Sequence, residues 1–330
     1  MAEAQWEDAY VTDDLALDLV RTIRRFSSPL EPRPTLRDPR FTVDQSIRAV
    51  LFDIYGTLFV SSSGDIDALH AESDTDMSGA FARKAPICRA LLESGCTVLD
   101  PGAVDEVAET EYEEAIRSIH AEKRRLGVQY PEVDIVQVWE QVLGELNGSG
   151  LIMVPDLPGV PYRVAVSYEC LSNPVWPMPD CEALLDAAAR SGIPMGLVSN
   201  AQFYTPLLFS AFFDRTLGEI GFNDRLCSFS FRRGEAKPSV HLYEGVRELL
   251  FRQLAIAPEK VLFVGNDMLN DIWPAHETGF STCLFAGDER SLRLREDHPL
   301  CTRLVPDHTV TGLDQVARIL DLQLTAAKEQ

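Results

Sequence analysis

The chain has 330 residues, 45% of them hydrophobic, and a formal charge of −21 from 51 acidic and 30 basic side chains. Such a length and apolar content allow a large core and two lobes. The acidic balance repels nucleic acid and anionic membranes at long range. No run reaches the roughly 18 apolar residues of a membrane helix, and the start MAEAQWEDAYVTDD is acidic where a secretory leader is basic. The expectation is a cytoplasmic protein acting on a small, anionic molecule, with no nucleic-acid or membrane partner and with homo-oligomerisation left open. Cys88, Cys96, Cys170, Cys181, Cys227, Cys283 and Cys301 are dispersed and show no CxxC spacing, which suits reduced thiols packed as small apolar groups.

In chain order, residues 13–26 repeat apolar positions at helical spacing, and the Pro/Arg-rich SSPLEPRPTLRDPR after them cannot continue a helix. Residues 1–46 therefore read as a helical extension and linker. The first strong strand is RAVLF, residues 48–52, an apolar run that stops at Asp53 and turns at Gly56-Thr57. A run without polar alternation suits a strand covered on both faces, as in a parallel sheet. Helical patterns dominate residues 65–172, and YECLSNPVWPMPD has the Pro density of a rigid hinge returning the chain to the core. After residue 175, helix and strand alternate: CEALLDAAARSG, PMGLVSN, a helix after Pro206, CSFSF, PSVHLYEGVRELLFRQL, KVLFVGN, TCLFA and a last helix from Gly312. Alternation of this kind predicts an α/β fold, a doubly wound parallel sheet with sites at the carboxyl ends of its strands. The expected division is a core of residues 47–60 plus 175–330 and an inserted, mainly helical cap over 61–174.

Four apolar strands end in polar groups: Asp53 in LFDIYGTLF, Ser199-Asn200 in GLVSNAQ, Lys237 in GEAKPS, and Asn266-Asp267 with Asp271 in LFVGNDMLNDIW. Taken singly each is ordinary: a strand-end Asp is usually a turn residue, Ser-Asn caps a helix, and a Lys is usually a surface charge. Together, in this order, they resemble the haloacid dehalogenase superfamily, a family with a Rossmann-like core and an inserted cap. The resemblance implies that Asp53 attacks as a carboxylate nucleophile and forms a covalent intermediate that water hydrolyses. It further implies that Ser199 donates to the transferring group and that Lys237 neutralises charge on it. Gly56, Thr57 and Asn200 would contact substrate. Asp53, Tyr55, Asp267 and Asp271 would hold Mg²⁺, Asp267 taking the place of the family's usual leading acid, which is Asn266 here.

The departure from the family pattern lies at Tyr55, where its phosphatases carry a second aspartate as acid and base. A phenol with a pKa of about 10 is a poor base at neutral pH, and the missing help is worth roughly 10² to 10⁴ in rate. Tyrosine here, in DxYGTL, resembles the 2-haloacid dehalogenases, whose halide leaving group needs no proton. Against that stands the acidic loop: Asp53, Asp267 and Asp271 converging on Lys237 alone would repel one another unless a cation intervened. Mg²⁺-dependent hydrolysis of a small phosphorylated compound is therefore the leading expectation. A metal-independent 2-haloacid dehalogenase and a non-catalytic binding module are the alternatives. In the expected cap, Arg117, Lys123, Arg124 and Arg125 are candidates to meet an anionic substrate.

Overall fold

A computed structural model describes residues 11–63 and 87–324. Helix α1, Asp13–Phe26, forms where the sequence predicts it. The Thr12 side chain accepts from the Leu15 amide, Asp13 and Asp14 occupy the first turn, and Arg24 and Arg25 the last. Its apolar face buries Leu15, Leu19, Val20 and Ile23. The Pro/Arg-rich stretch after it is docked rather than loose. The Arg33 amide donates to Asp288 Oδ1 at 3.0 Å, Thr35 Oγ1 donates to the Ala286 carbonyl at 2.6 Å, and Arg40 bridges Thr309.

Six parallel strands form the main sheet, in the spatial order His308–Val310, Ser281–Phe285, Val261–Gly265, Ala49–Phe52, Met195–Ser199 and Phe222–Phe229. They are β1 Ala49–Phe52, β6 Met195–Ser199, β7 Phe222–Phe229, β8 Val261–Gly265, β9 Ser281–Phe285 and β10 His308–Val310. All of β1 is buried. Val50 and Phe52 point into one apolar cluster, while Ala49 and Leu51 point into another on the opposite face, the alternation that a doubly covered strand requires. Register places Phe52 beside Leu197 of β6 and Val264 of β8, so the chain segments following all three strands emerge at one edge. This is the doubly wound α/β core the sequence predicts, with helices α6 Cys181–Ser191, α7 Thr205–Phe213, α8 His241–Leu254 and α9 Leu313–Ile319 around it.

Between β2, Phe59–Ser61, and its antiparallel partner β5, Val175–Pro177, the described chain is mainly helical. Its helices are α2 Ile87–Glu93, α3 Val104–Arg125, α4 Ile135–Gly148 and α5 Val160–Ser172, with a small ladder of β3 Thr97–Val98 and β4 Ile152–Met153. These short pairs, and β10, carry too few residues for a period-2 pattern and were not anticipated. The strand expected at CSFSF begins earlier, at Phe222, and Phe231 falls in a helical turn, Ser230–Arg233. All seven cysteines are free. Among the described residues no helix is long and apolar enough to cross a membrane.

Candidate active site at the carboxyl edge of the sheet

Asp53 follows β1, and its amide donates to the Val264 carbonyl at 2.9 Å, so the central pair of strands fixes the backbone that carries it. Its Oδ1 accepts from Lys237 Nζ at 2.6 Å and from Ser199 Oγ at 3.0 Å. The other oxygen, Oδ2, has among the described residues only Thr57 Oγ1, at 3.5 Å. A threonine hydroxyl has one proton to donate, and Thr57 lies closer to Asn266 Oδ1, at 3.0 Å. Among the described residues, Oδ2 is therefore the Asp53 oxygen with an open lone pair.

Lys237 bridges two carboxylates, with Asp271 Oδ1 also at 2.6 Å, and its side chain is 2% exposed. Burial works against the ammonium, but the charges of Asp271 and Asp53 outweigh it and hold the lysine above its ordinary pKa. Burial raises Asp271 to about 7, Lys237 opposing the shift and the charges of Asp53 and Asp267 adding to it. Asn200 holds the lysine from behind, its Oδ1 accepting from the Lys237 amide at 2.8 Å. Asp271 Oδ2 accepts from the amides of Asn266 and Asp267, both at 2.9 Å, which folds its side chain back over Gly265. A Cβ there would stand 2.5 Å from Asp271, so glycine is required for this close approach. Gly56 is needed for a second reason: its φ is +80°, and a Cβ would meet Ser291 Cβ at 2.5 Å.

Two expected ligands lie elsewhere. Asp267 was expected to converge on Lys237 and bind metal. Instead it pairs with Arg295, whose Nη2 is 2.8 Å from Oδ2, while its Oδ1 accepts the amides of Leu269 and Asn270 at 2.7 and 3.2 Å. It thus caps the turn Met268–Ile272. Tyr55 turns its hydroxyl to Thr205 Oγ1 at 3.0 Å, and burial raises its pKa well above the ordinary phenol value. Arg295, Thr205 and Ser291 escape a sequence reading because they lie in irregular chain or at a helix start, far in sequence from the groups they touch.

Mg²⁺ demands about six oxygens near 2.0–2.1 Å in octahedral array. Asp267 is taken up by Arg295 and its own turn, the Tyr55 hydroxyl is bonded to Thr205, and among the described residues the oxygens of this group with a lone pair left are Asp53 Oδ2 and Asp271 Oδ1, the latter accepting from Lys237. The residues present do not fit the Mg²⁺ site expected from the sequence. Its electrostatic motive is also weakened, since two cations, Lys237 and Arg295, meet the three carboxylates. Three of the four candidate anion-binding residues of the helical insert, Arg117, Lys123 and Arg125, have partners of their own. Lys123 Nζ donates to the Glu132 carbonyl at 2.5 Å, Arg117 pairs with Glu113, and Arg125 pairs with Glu122.

A family model described as haloacid dehalogenase-like hydrolase matches residues 47–279. Among solved structures, the chain resembles an L-2-haloacid dehalogenase from Xanthobacter autotrophicus at 18% identity, covering 83% of this chain and 98% of that one with a TM-score of 0.40. It resembles a HAD phosphatase from Thermococcus onnurineus at 16% identity, covering 84% and 100% with a TM-score of 0.42. The magnesium-bound YfnB from Bacillus subtilis, a putative HAD-hydrolase, gives 15% identity, coverages of 83% and 99%, and a TM-score of 0.44. A search of curated proteins returned no match. The match over well more than half of the sequence places this chain in the haloacid dehalogenase-like hydrolase family.

Proposed function

We propose that this chain hydrolyses a carbon–halogen bond of a small 2-haloacid through Asp53, without a metal ion. One observation carries the reading: the side chain two positions after the nucleophile is a phenol turned away onto Thr205, with its pKa raised by burial. A leaving group that departs from this site receives no proton from that position. Halide is such a leaving group, whereas the alkoxide of a phosphate monoester is not.

Asp53 Oδ2, the open oxygen, attacks the carbon bearing the halogen; the C–O bond forms as the carbon–halogen bond breaks, and halide leaves with the electron pair. Lys237 and Ser199 hold Oδ1 and orient the carboxylate along the attack line. Water then adds to the Asp53 ester carbonyl, where the Lys237 ammonium stabilises the charge that develops on oxygen. Asp271, with a carboxyl pKa raised to about 7, is the base beside this centre that takes the water's proton. Collapse releases the 2-hydroxyacid and restores Asp53. One water is consumed, and one proton and one halide ion are produced.

A second reading, Mg²⁺-assisted hydrolysis of a small phosphomonoester, is favoured by one feature: Asp53, Lys237 and Ser199 suit a phosphoryl group as well as a carbon centre. The same trio argues against a pure binding module, which needs none of them. The test is halide release from 2-chloropropionate and 2-bromopropionate in EDTA, beside phosphate release from phosphomonoesters with Mg²⁺, for the wild type and Asp53→Asn. Halide release in EDTA, lost in Asp53→Asn, is the expected result. Metal-dependent phosphate release with no halide release replaces this reading with the second.

A further inference from the structure

The segment between α3 and α4, residues 126–134, lies within the helical insert, yet its hydrogen bonds run to the two core loops that hold the candidate nucleophile. The Ala236 amide donates to the Tyr130 carbonyl at 2.8 Å and the Glu132 amide donates to the Gly234 carbonyl at 3.2 Å, with Pro131 and Glu235 forming an antiparallel bridge. Lys123 clamps this junction, its Nζ reaching the carbonyls of Glu132 and Gly234. The paired core segment leads directly into Lys237.

The Glu132 side chain enters the second loop. It is fully buried, and its Oε2 accepts from Ser230 Oγ in a short hydrogen bond. Its Oε1 accepts from Gln202 Nε2 at 3.2 Å and from the Val133 amide at 2.8 Å. Ser230 Oγ in turn accepts the Ala201 amide at 2.9 Å. Gln202 also reaches back into the insert, donating to the Val133 carbonyl at 3.0 Å and accepting the Ile135 amide at 3.1 Å. Ala201 and Gln202 directly follow Ser199 and Asn200, the first bonded to Asp53 and the second to the Lys237 backbone.

We infer that Glu132 is a positioning residue: seated between the Ser199–Gln202 loop and the 234–237 loop, it makes docking of the insert and assembly of the Asp53–Lys237–Ser199 group one cooperative event. The physical reason is that a buried carboxylate holds its donors more strongly than a neutral acceptor does, and donors to it come from both sides of the junction, Val133 from the insert and Gln202 and Ser230 from the core. The effect on catalysis rests on the reading of Asp53 as nucleophile, whereas the cooperative docking does not.

The experiment compares wild type, Glu132→Gln, Ser230→Ala and the double variant. Hydrogen–deuterium exchange is measured over residues 128–136, 199–203 and 234–238, together with kcat and KM for halide release. Glu132→Gln is expected to speed exchange in all three segments together. It is also expected to lower kcat by about 10- to 100-fold with KM nearly unchanged, since small misplacement of reacting groups acts on the chemical step. Ser230→Ala, which removes one hydroxyl without placing an amide in the interior, should act in the same direction, and the double variant should fall short of the product of the single effects. Faster exchange in 128–136 alone overturns the inference, as does a kcat equal to wild type in a folded Glu132→Gln. If wild type releases no halide, the functional reading fails and the exchange pattern still decides whether Glu132 couples the two loops.

Discussion

Lys237 Nζ lies 2.6 Å from Asp53 Oδ1 in a pocket that leaves the lysine side chain 2% exposed and the aspartate 9%. A contact this short between buried charges is held by mutual need, because each would otherwise be an uncompensated ion in a poorly solvating interior. Lys237→Met should abolish turnover. It should also lower unfolding free energy by about 3–5 kcal/mol, the usual cost of removing one partner of a buried pair. Urea unfolding followed by circular dichroism checks the second figure. A stability equal to wild type would mean that Asp53 and Asp271 share a proton and do not need the lysine charge.

Tyr55 tests the proton argument directly. Tyr55→Phe removes the hydroxyl bonded to Thr205 and leaves the ring's packing. If no proton passes through this position, kcat for halide release should stay within about two- to threefold of wild type, and stability should fall by about 1 kcal/mol for the lost hydrogen bond. A drop of roughly 10² or more would instead make the phenol a participant in proton transfer.

Arg295 and Asp267 form a mixed pair, the arginine side chain 34% exposed and the aspartate 6%. Exposure of the arginine screens part of the attraction, so Arg295→Met should cost only about 1–2 kcal/mol. Asp267→Ala should cost more, because it also deprives the amides of Leu269 and Asn270 of their cap. Thermal unfolding of the two variants and their double mutant measures both effects. Equal losses would remove the capping role.

Glu169 gives a pH signature. Its carboxyl, near the end of α5, is desolvated by burial, which raises its pKa from 4.5, while hydrogen bonds from Asn173 and Tyr204 act in the opposite direction. A carboxyl with a folded pKa above its unfolded one gives stability that is complete below about 4.5 and is lost as pH rises through the folded value. Glu169→Gln removes that loss. The variant should therefore gain stability relative to wild type as pH is raised from 4 to 8, whatever other groups do to both proteins. Urea midpoints at four pH values suffice, and a constant difference between the proteins would show that the carboxyl titrates normally.

The sequence alone determined the sheet and several of the polar groups that gather at its edge. Runs such as AVLF, MGLVS and VLFVG are too apolar and too short for anything but covered strands, and Asp53, Ser199 and Asp271 each end or follow one closely enough to be carried to the same edge, while Lys237 arrives there on the loop after Phe222–Phe229. Periodicity and strand ends are local properties of the chain, so they can be read locally. What only the tertiary structure decided is where individual side chains turn. Asp267 and Asp271 look alike in sequence, yet one meets Lys237 and the other meets Arg295, 28 positions further on. Tyr55 turns to Thr205, 150 positions away, and Glu132 reaches Ser230 across 98. Each of these choices is made by a partner delivered from a distant part of the chain, because a buried charge or hydroxyl takes the position in which its hydrogen bonds are satisfied, and that position exists only once the loops have packed.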